Sequence, residues 1–193
     1  MELIFSLLMG IGLSATSGFR IFLPLLIMSI ASLTGYLELS QAFEWIGTYP
    51  ALTVFAVAAV LEVLSYLFPY IDNLLSTISI PFAAVAGTII TASVIIDMPP
   101  LLTWTLAIVA GGGASLTTKT TSTLLHTGST ATSGGMANPV VSTIETVISV
   151  VMAVISIIAP LLIIILFGFI AWVGVRAFQK RKKRPGRQKQ MLR

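Results

Sequence analysis

Apolar residues fall in blocks of near-membrane length, separated by short polar breaks. The first, Leu3 to Leu13, is only half a bilayer long and runs into Ser14-Ala15-Thr16-Ser17-Gly18-Phe19-Arg20 before apolarity resumes at Ile21. That break predicts either a short span or a re-entrant half-helix. Ile21 to Leu37 predicts a second helix with Pro24 in its first turn, where the missing N–H is tolerated. The loop from Glu38 to Pro50, with Glu44 and Trp45, reads as an acidic interfacial segment. Ala51 to Phe68 predicts a span, Pro69 with Asp72-Asn73 a turn, and Ile78 to Ile96 a further span stopped by Asp97-Met98-Pro99-Pro100. Leu101 to Leu116 carries Gly111-Gly112-Gly113, small residues that let helix backbones approach closely. Apolarity from Val140 to Phe178 is about twice a spanning length, and Pro160 is its natural dividing point.

Composition turns this pattern into a class. Charged residues make up 9% of the chain, against about 25% in soluble domains. Hydrophobic residues reach 56% and the mean hydropathy is +1.00. The expectation is an all-α, polytopic transmembrane helical bundle of six or seven spans with re-entrant, glycine-rich broken helices. Residues 1–178 would form one transmembrane domain and residues 179–193 a basic cytoplasmic tail. Glu2, with no Lys or Arg before the first apolar block, argues against a cleaved signal peptide. The absence of cysteine excludes disulfides, thiol redox chemistry and Cys-ligated metals.

Charge then gives an orientation. Arg176 to Arg193 holds nine of the 11 Lys and Arg residues, leaving only Arg20 and Lys119 against seven acidic residues in the apolar body. Lys and Arg bias the loops that carry them toward the cytoplasm, so the C-terminus is expected inside a cell (inner) membrane. Counting back puts Lys119, His126, Asp72 and Arg20 on the cytoplasmic side and Glu38, Glu44 and Asp97 outside. If residues 3–18 cross, the chain has seven spans and an outer N-terminus; if they re-enter, it has six and an inner one. The tail next to a transmembrane helix reads as an anionic-lipid contact and topology anchor rather than a nucleic-acid patch.

An internal echo links Gly10-Ile11-Gly12-Leu13-Ser14-Ala15-Thr16-Ser17 with Gly111-Gly112-Gly113-Ala114-Ser115-Leu116-Thr117-Thr118, each followed by a basic residue, Arg20 or Lys119. Transporters are often built from such repeats, and small and hydroxylated residues are also common in unrelated membrane helices.

Four ordered motifs also carry a family resemblance. Leu13 to Pro24, Leu61-Glu62-Val63-Leu64 with Pro69 and Asp72-Asn73, Gly111 to Ala114, and Asn138-Pro139-Val140-Val141-Ser142 with Glu145 resemble a family of multi-pass membrane proteins of bacteria and plastids described only as a domain of unknown function. The resemblance covers nearly the whole chain except the basic tail. It implies a helical membrane fold and no established activity. The chain departs from the family pattern at Ser65-Tyr66, where an Asp-Lys pair is usual, at Thr146, where an acidic residue is, and at Ser122, where a basic one is. If those charges form a network in relatives, it is thinner here.

The candidate chemistry is a set of ionisable residues at membrane depth, which are costly enough to be functional candidates by default. Glu62 has no Lys or Arg within helical reach and is expected near mid-span facing the bundle interior, with Tyr66 one turn on. It either serves a polar site or makes a structural hydrogen bond to a neighbouring helix. Glu145, two turns into its helix and near the inner interface, either belongs to that site or pairs with Lys119 or Arg20 to fix packing. Arg20 neutralises Glu62 or Glu145, binds an anion beside backbone N–H groups, or snorkels to the interface. The Ser and Thr run from Ser115 to Ser133, with Lys119 and His126, would be expensive facing lipid, so it either lies in water or lines a cavity.

Enzyme signals are weak. With one histidine there is no two-His metal motif, and neither a nucleophile elbow nor a phosphate-binding loop occurs. No cofactor or metal is implied. The function expected is a small transporter or channel-like protein for an ion or small polar solute. The alternative is a non-transporting structural or assembly protein that binds lipid or a membrane partner.

Overall fold

The computed structural model describes residues 2–65, 69–162 and 176, with the side chains of residues 69–77 left out. Those described residues are all-helical, with turns and short coil between. In order they form α1 (Glu2–Ser17), α2 (Phe22–Leu33), a 3-10 segment (Gln41–Gly47), α3 (Tyr49–Ser65), α4 (Pro69–Val94), α5 (Pro100–Leu106), a π-helical stretch (Ala107–Gly112), α6 (Gly113–Ser133) and α7 (Asn138–Ile158). The tail, Arg176 excepted, and Tyr66 lie outside the described residues.

Among the described residues, two helices are long and apolar enough to cross a membrane, Pro100–Ser133 and Asn138–Ile158. A third arises if Gln41–Gly47 and Tyr49–Ser65, bent by 65°, count as one span. Several boundaries differ from the sequence expectation for local reasons. α2 stops at Leu33 because Gly35 takes a φ of 78°, which reverses the chain. Pro69 opens α4 instead of making a turn, and Asp72-Asn73 continue that helix, since proline at a helix start sacrifices no internal hydrogen bond. Ser115 to Ser133 is continuous helix, neither loop nor unwound. α7 ends at Ile158, just before Pro160, as expected from the restriction proline places on its predecessor.

The helices alternate in direction. Glu2 at the start of α1, Tyr36 to Glu38 after α2, Asp97 after α4 and Ile157 at the end of α7 share one opening of about 590 Å³, which marks one end of the bundle. α1 therefore runs antiparallel to α2, and Glu2 lies at the same end as Glu38 and Asp97. At 1.5 Å per residue, α1 is about 24 Å long, α2 about 18 Å and α7 about 31 Å.

Close approaches at glycine hold the centre. A Cβ on Gly87 of α4 would stand 2.5 Å from Ser115 Cβ and 2.7 Å from the Gly111 carbonyl oxygen. Gly18, just past α1, would meet Thr118 Cβ at 2.5 Å and the Ser115 carbonyl oxygen at 2.6 Å. Between these close approaches run hydroxyl bonds: Ser14 Oγ donates to the Gly87 carbonyl at 2.6 Å, Ser115 Oγ donates to the Ala83 carbonyl at 2.6 Å, and Ser17 and Ser115 hydroxyls lie 2.8 Å apart. The two echoing segments thus pack on one another and on the same stretch of α4. In lipid, where apolar burial drives no association, small residues and such bonds hold helices together.

Candidate functional site

The buried faces of α6 and α7 are polar. α6 buries Ser115, Lys119, Ser122 and His126; α7 buries Asn138, Ser142, Glu145, Ser149 and Ser156 along with Met152 and Ala153. The outer face of α7 is apolar, with Val140, Ile144, Val147, Val151 and Ile158 exposed, whereas that of α6 mixes Leu116, Leu124 and Leu125 with threonines. This inverts the soluble pattern and suits helices whose surroundings are hydrocarbon.

The threonines of α6 explain how that helix tolerates an outward hydroxyl face. Thr117, Thr120, Thr121 and Thr127 are exposed, and each donates its hydroxyl to the carbonyl four residues back at 2.8–2.9 Å. One face points into the bundle, and the other satisfies its hydroxyls on its own backbone.

At the centre stands Arg20, on the turn between α1 and α2 and fully buried, which overturns the snorkelling alternative. The turn is pressed onto α6 through Gly18, so the guanidinium reaches across to α7. Arg20 Nη2 donates to the Ser142 carbonyl at 2.8 Å and to the Ser142 hydroxyl; Nε donates to Thr146 Oγ1 at 3.0 Å and Nη1 to the Phe19 carbonyl at 3.1 Å. Nη1 also lies 3.7 Å from Glu145 Oε2, an ion pair without a hydrogen bond. Thr146 is thus a direct partner of Arg20.

Glu145 is 3% exposed, buried within the bundle. Its Oε2 meets His126 Nε2 at 3.0 Å as well as Arg20, whereas Oε1 has no hydrogen-bond partner among the described residues. His126 and Lys119, 0% and 1% exposed, are buried on the same stripe of α6. Next to them, Asn138 Nδ2 donates to Thr130 Oγ1 at 2.9 Å.

Glu62 stands apart from that cluster. It lies in the last turn of α3 rather than near mid-span, and its carboxylate accepts the backbone N–H of Ile21 at 2.7 Å and of Phe22 at 3.0 Å. It caps α2, so the N–H groups that Arg20 was expected to share with an anion are already occupied. On its other side Glu62 borders a largely apolar groove of about 580 Å³ between α2, α3 and α4, walled by Phe22, Leu61, Ile78 and Phe82.

Of the six residues singled out from sequence, Arg20, Glu145 and His126 come together, Lys119 joins them on the same helical stripe, Glu62 sits beside the turn that carries Arg20, and Tyr66 falls outside the described residues. Sequence reasoning missed the buried serines. Their signal is a polar residue at every third or fourth position, Ser115-Lys119-Ser122-His126 and Asn138-Ser142-Glu145-Ser149, set within apolar sequence.

Residues 7–180 match the family model described as Domain of unknown function (DUF4126). The chain belongs to that family. No curated protein and no solved structure matches it.

Proposed function

We propose that this DUF4126 member is a small, non-enzymatic transporter or channel-like protein for an ion or small polar solute, in the cell (inner) membrane with its basic tail in the cytoplasm. The observation that carries this reading is the Arg20–Glu145–His126 cluster, buried at the meeting point of α6, α7 and the α1–α2 turn. Charged groups at such depth are costly, and they characterise ion and proton paths.

Glu145 lies about 20 Å along α7 from Ile158, so with the Ile158 end at one face of a bilayer about 30 Å thick, the cluster is well inside it. In this reading α1 and α2 enter from that face and turn before reaching the other. α1 and α2 then form a re-entrant pair, and α3, α4, α5–α6 and α7 cross in alternating directions. The internal turn resembles the broken helices that hold transporter sites near the midplane.

One observation favours the alternative, a structural or assembly protein that binds lipid or a membrane partner. Both oxygens of Glu62 are taken up by backbone N–H groups within the bundle, beside an apolar groove. Flux measurements on reconstituted protein separate the two. Vesicles loaded for Na⁺, K⁺, proton or small-anion flux should pass at least one of these, and Arg20→Gln or Glu145→Gln should abolish it in protein that remains helical. Vesicles that pass none of them would leave the structural reading standing.

A further inference from the structure

We propose that His126 and Glu145 form a proton-binding site, which takes one proton from water and holds it between imidazole and carboxylate, and that this proton is the coupling ion of the transport proposed above. The coupling rests on the transport reading; the proton site does not.

The geometry begins with the short contact. His126 Nε2 and Glu145 Oε2 are 3.0 Å apart with both side chains buried, so either group can hold a proton that the other shares. An imidazole is the side chain whose ordinary titration falls closest to neutral pH. The second observation is the bare oxygen. Glu145 Oε1 is buried without a hydrogen-bond partner among the described residues, an arrangement that is costly in a carboxylate that serves only packing. A carboxylate that must receive and release a proton needs such an open lone pair.

Arg20 supplies the third element. Its hydrogen bonds go to Phe19, Ser142 and Thr146, and it meets Glu145 only as an ion pair at 3.7 Å. The guanidinium is therefore anchored on α7 in either protonation state, and a proton can arrive at Glu145 without releasing it. Among the described residues, the charged group that meets the pair is Arg20 from the α1–α2 turn; Lys119 is buried on the same stripe of α6 as His126, and Glu62 of α3 accepts the Ile21 N–H beside that turn. A hard metal cation is disfavoured here, because it requires several oxygen ligands and would sit against Arg20. A proton requires no coordination shell. In the uptake step a hydronium ion gives its proton to the pair and leaves as water; release is the reverse, and no electrons move.

His126 is the chain's single histidine, so its ring can be followed without assignment. The protein, ¹⁵N-labelled at histidine and held in lipid nanodiscs, should move reversibly between imidazole and imidazolium between about pH 5 and pH 8. The same titration in Glu145→Gln should have a different midpoint. A wild-type ring that keeps one protonation state across this range overturns the proposal, and this measurement depends on no variant. In vesicles under an imposed pH gradient, read with an internal pH dye, wild type should carry protons. His126→Gln and Glu145→Gln should fall to the rate of empty vesicles, while Thr132→Ala, on the exposed face of α6, should match wild type. Na⁺, K⁺ or anion flux alongside a non-titrating His126 would overturn the proton site and leave transport standing. A titrating His126 in vesicles that pass neither solute nor proton would remove the coupling and the transport reading together.

Discussion

Glu62 is predicted to stabilise the start of α2, and its replacement should cost folding stability. Its carboxylate accepts two backbone N–H groups, from Ile21 at 2.7 Å and Phe22 at 3.0 Å, which would otherwise be among the unsatisfied donors at a helix N-terminus. A hydrogen bond to a charged group contributes about 1.5–3 kcal/mol, and the favourable position at the helix N-terminus adds about 0.3–1 kcal/mol. The Phe22 bond lies at an exposed position and counts at the low end. Glu62→Ala should therefore destabilise by about 3–5.5 kcal/mol. Glu62→Gln should fall between it and wild type, because the amide keeps one acceptor oxygen, loses the charge and turns an NH₂ toward the second donor. Unfolding in mixed detergent micelles measures the cost, and amide exchange at Ile21 and Phe22 should accelerate in both variants. Glu62→Ala within about 0.5 kcal/mol of wild type would refute the capping argument.

Gly87→Ala should destabilise by about 1–3 kcal/mol, since the added methyl meets Ser115 Cβ at 2.5 Å and the Gly111 carbonyl oxygen at 2.7 Å; unfolding in detergent micelles measures it, and a neutral result would mean that α4 and α6 separate freely. Single cysteines at positions 2 and 97 should label from one face of oriented vesicles and a cysteine at 132 from the other; labelling of positions 2 and 97 from opposite faces would contradict the direction of α1. Deleting residues 180–193 should weaken association with anionic lipid by up to about 1 kcal/mol per basic residue lost, most visibly at low salt, and leave the helical content unchanged by circular dichroism.

Much of this architecture is legible along the chain because apolar block length and proline position are local properties. Pro160 and Gly111-Gly112-Gly113 act where the sequence places them, the first behind the end of α7 and the second, through Gly111 and Gly112, in a π-helical stretch packed on α4. The pairing of Glu145 with Arg20 was among the alternatives open from residue type alone. What failed was depth and partner. Glu62 reads as mid-span because the apolar block continues beyond it, yet its partners are backbone N–H groups of a helix about 40 residues earlier, which carry no side-chain signature. The hydroxyl-rich α6 reads as a loop by composition, yet it is helical, with outward threonines bonding their own backbone and inward Ser115 and His126 bonding other helices.

The distribution of core residues explains why the central charges exceed what packing requires. Leu13, Leu25, Met28, Ile46, Phe55, Ile90 and Val94 form one buried apolar cluster, while Arg20, Lys119, His126 and Glu145 are buried among the serines. Serine bonds such as Ser14 to Gly87 and Ser115 to Ala83 join α1, α4 and α6, and Ser149 of α7 donates to the Thr16 carbonyl of α1 at 3.3 Å. Neutral interhelical bonds of this kind contribute about 0.6–2 kcal/mol each without the desolvation that a buried charge incurs. An arginine on a turn, tied to the backbone of α7 and set beside a carboxylate with an open oxygen, adds that desolvation to a junction already held. Replacing such buried ion pairs with apolar residues often leaves stability unchanged or higher, so packing alone gives no reason to keep this one. Arg20→Met combined with Glu145→Leu and His126→Leu should accordingly leave a folded bundle of similar or greater stability in detergent that has lost all solute and proton flux. A triple variant that fails to fold would mean that the cluster is structural cement after all.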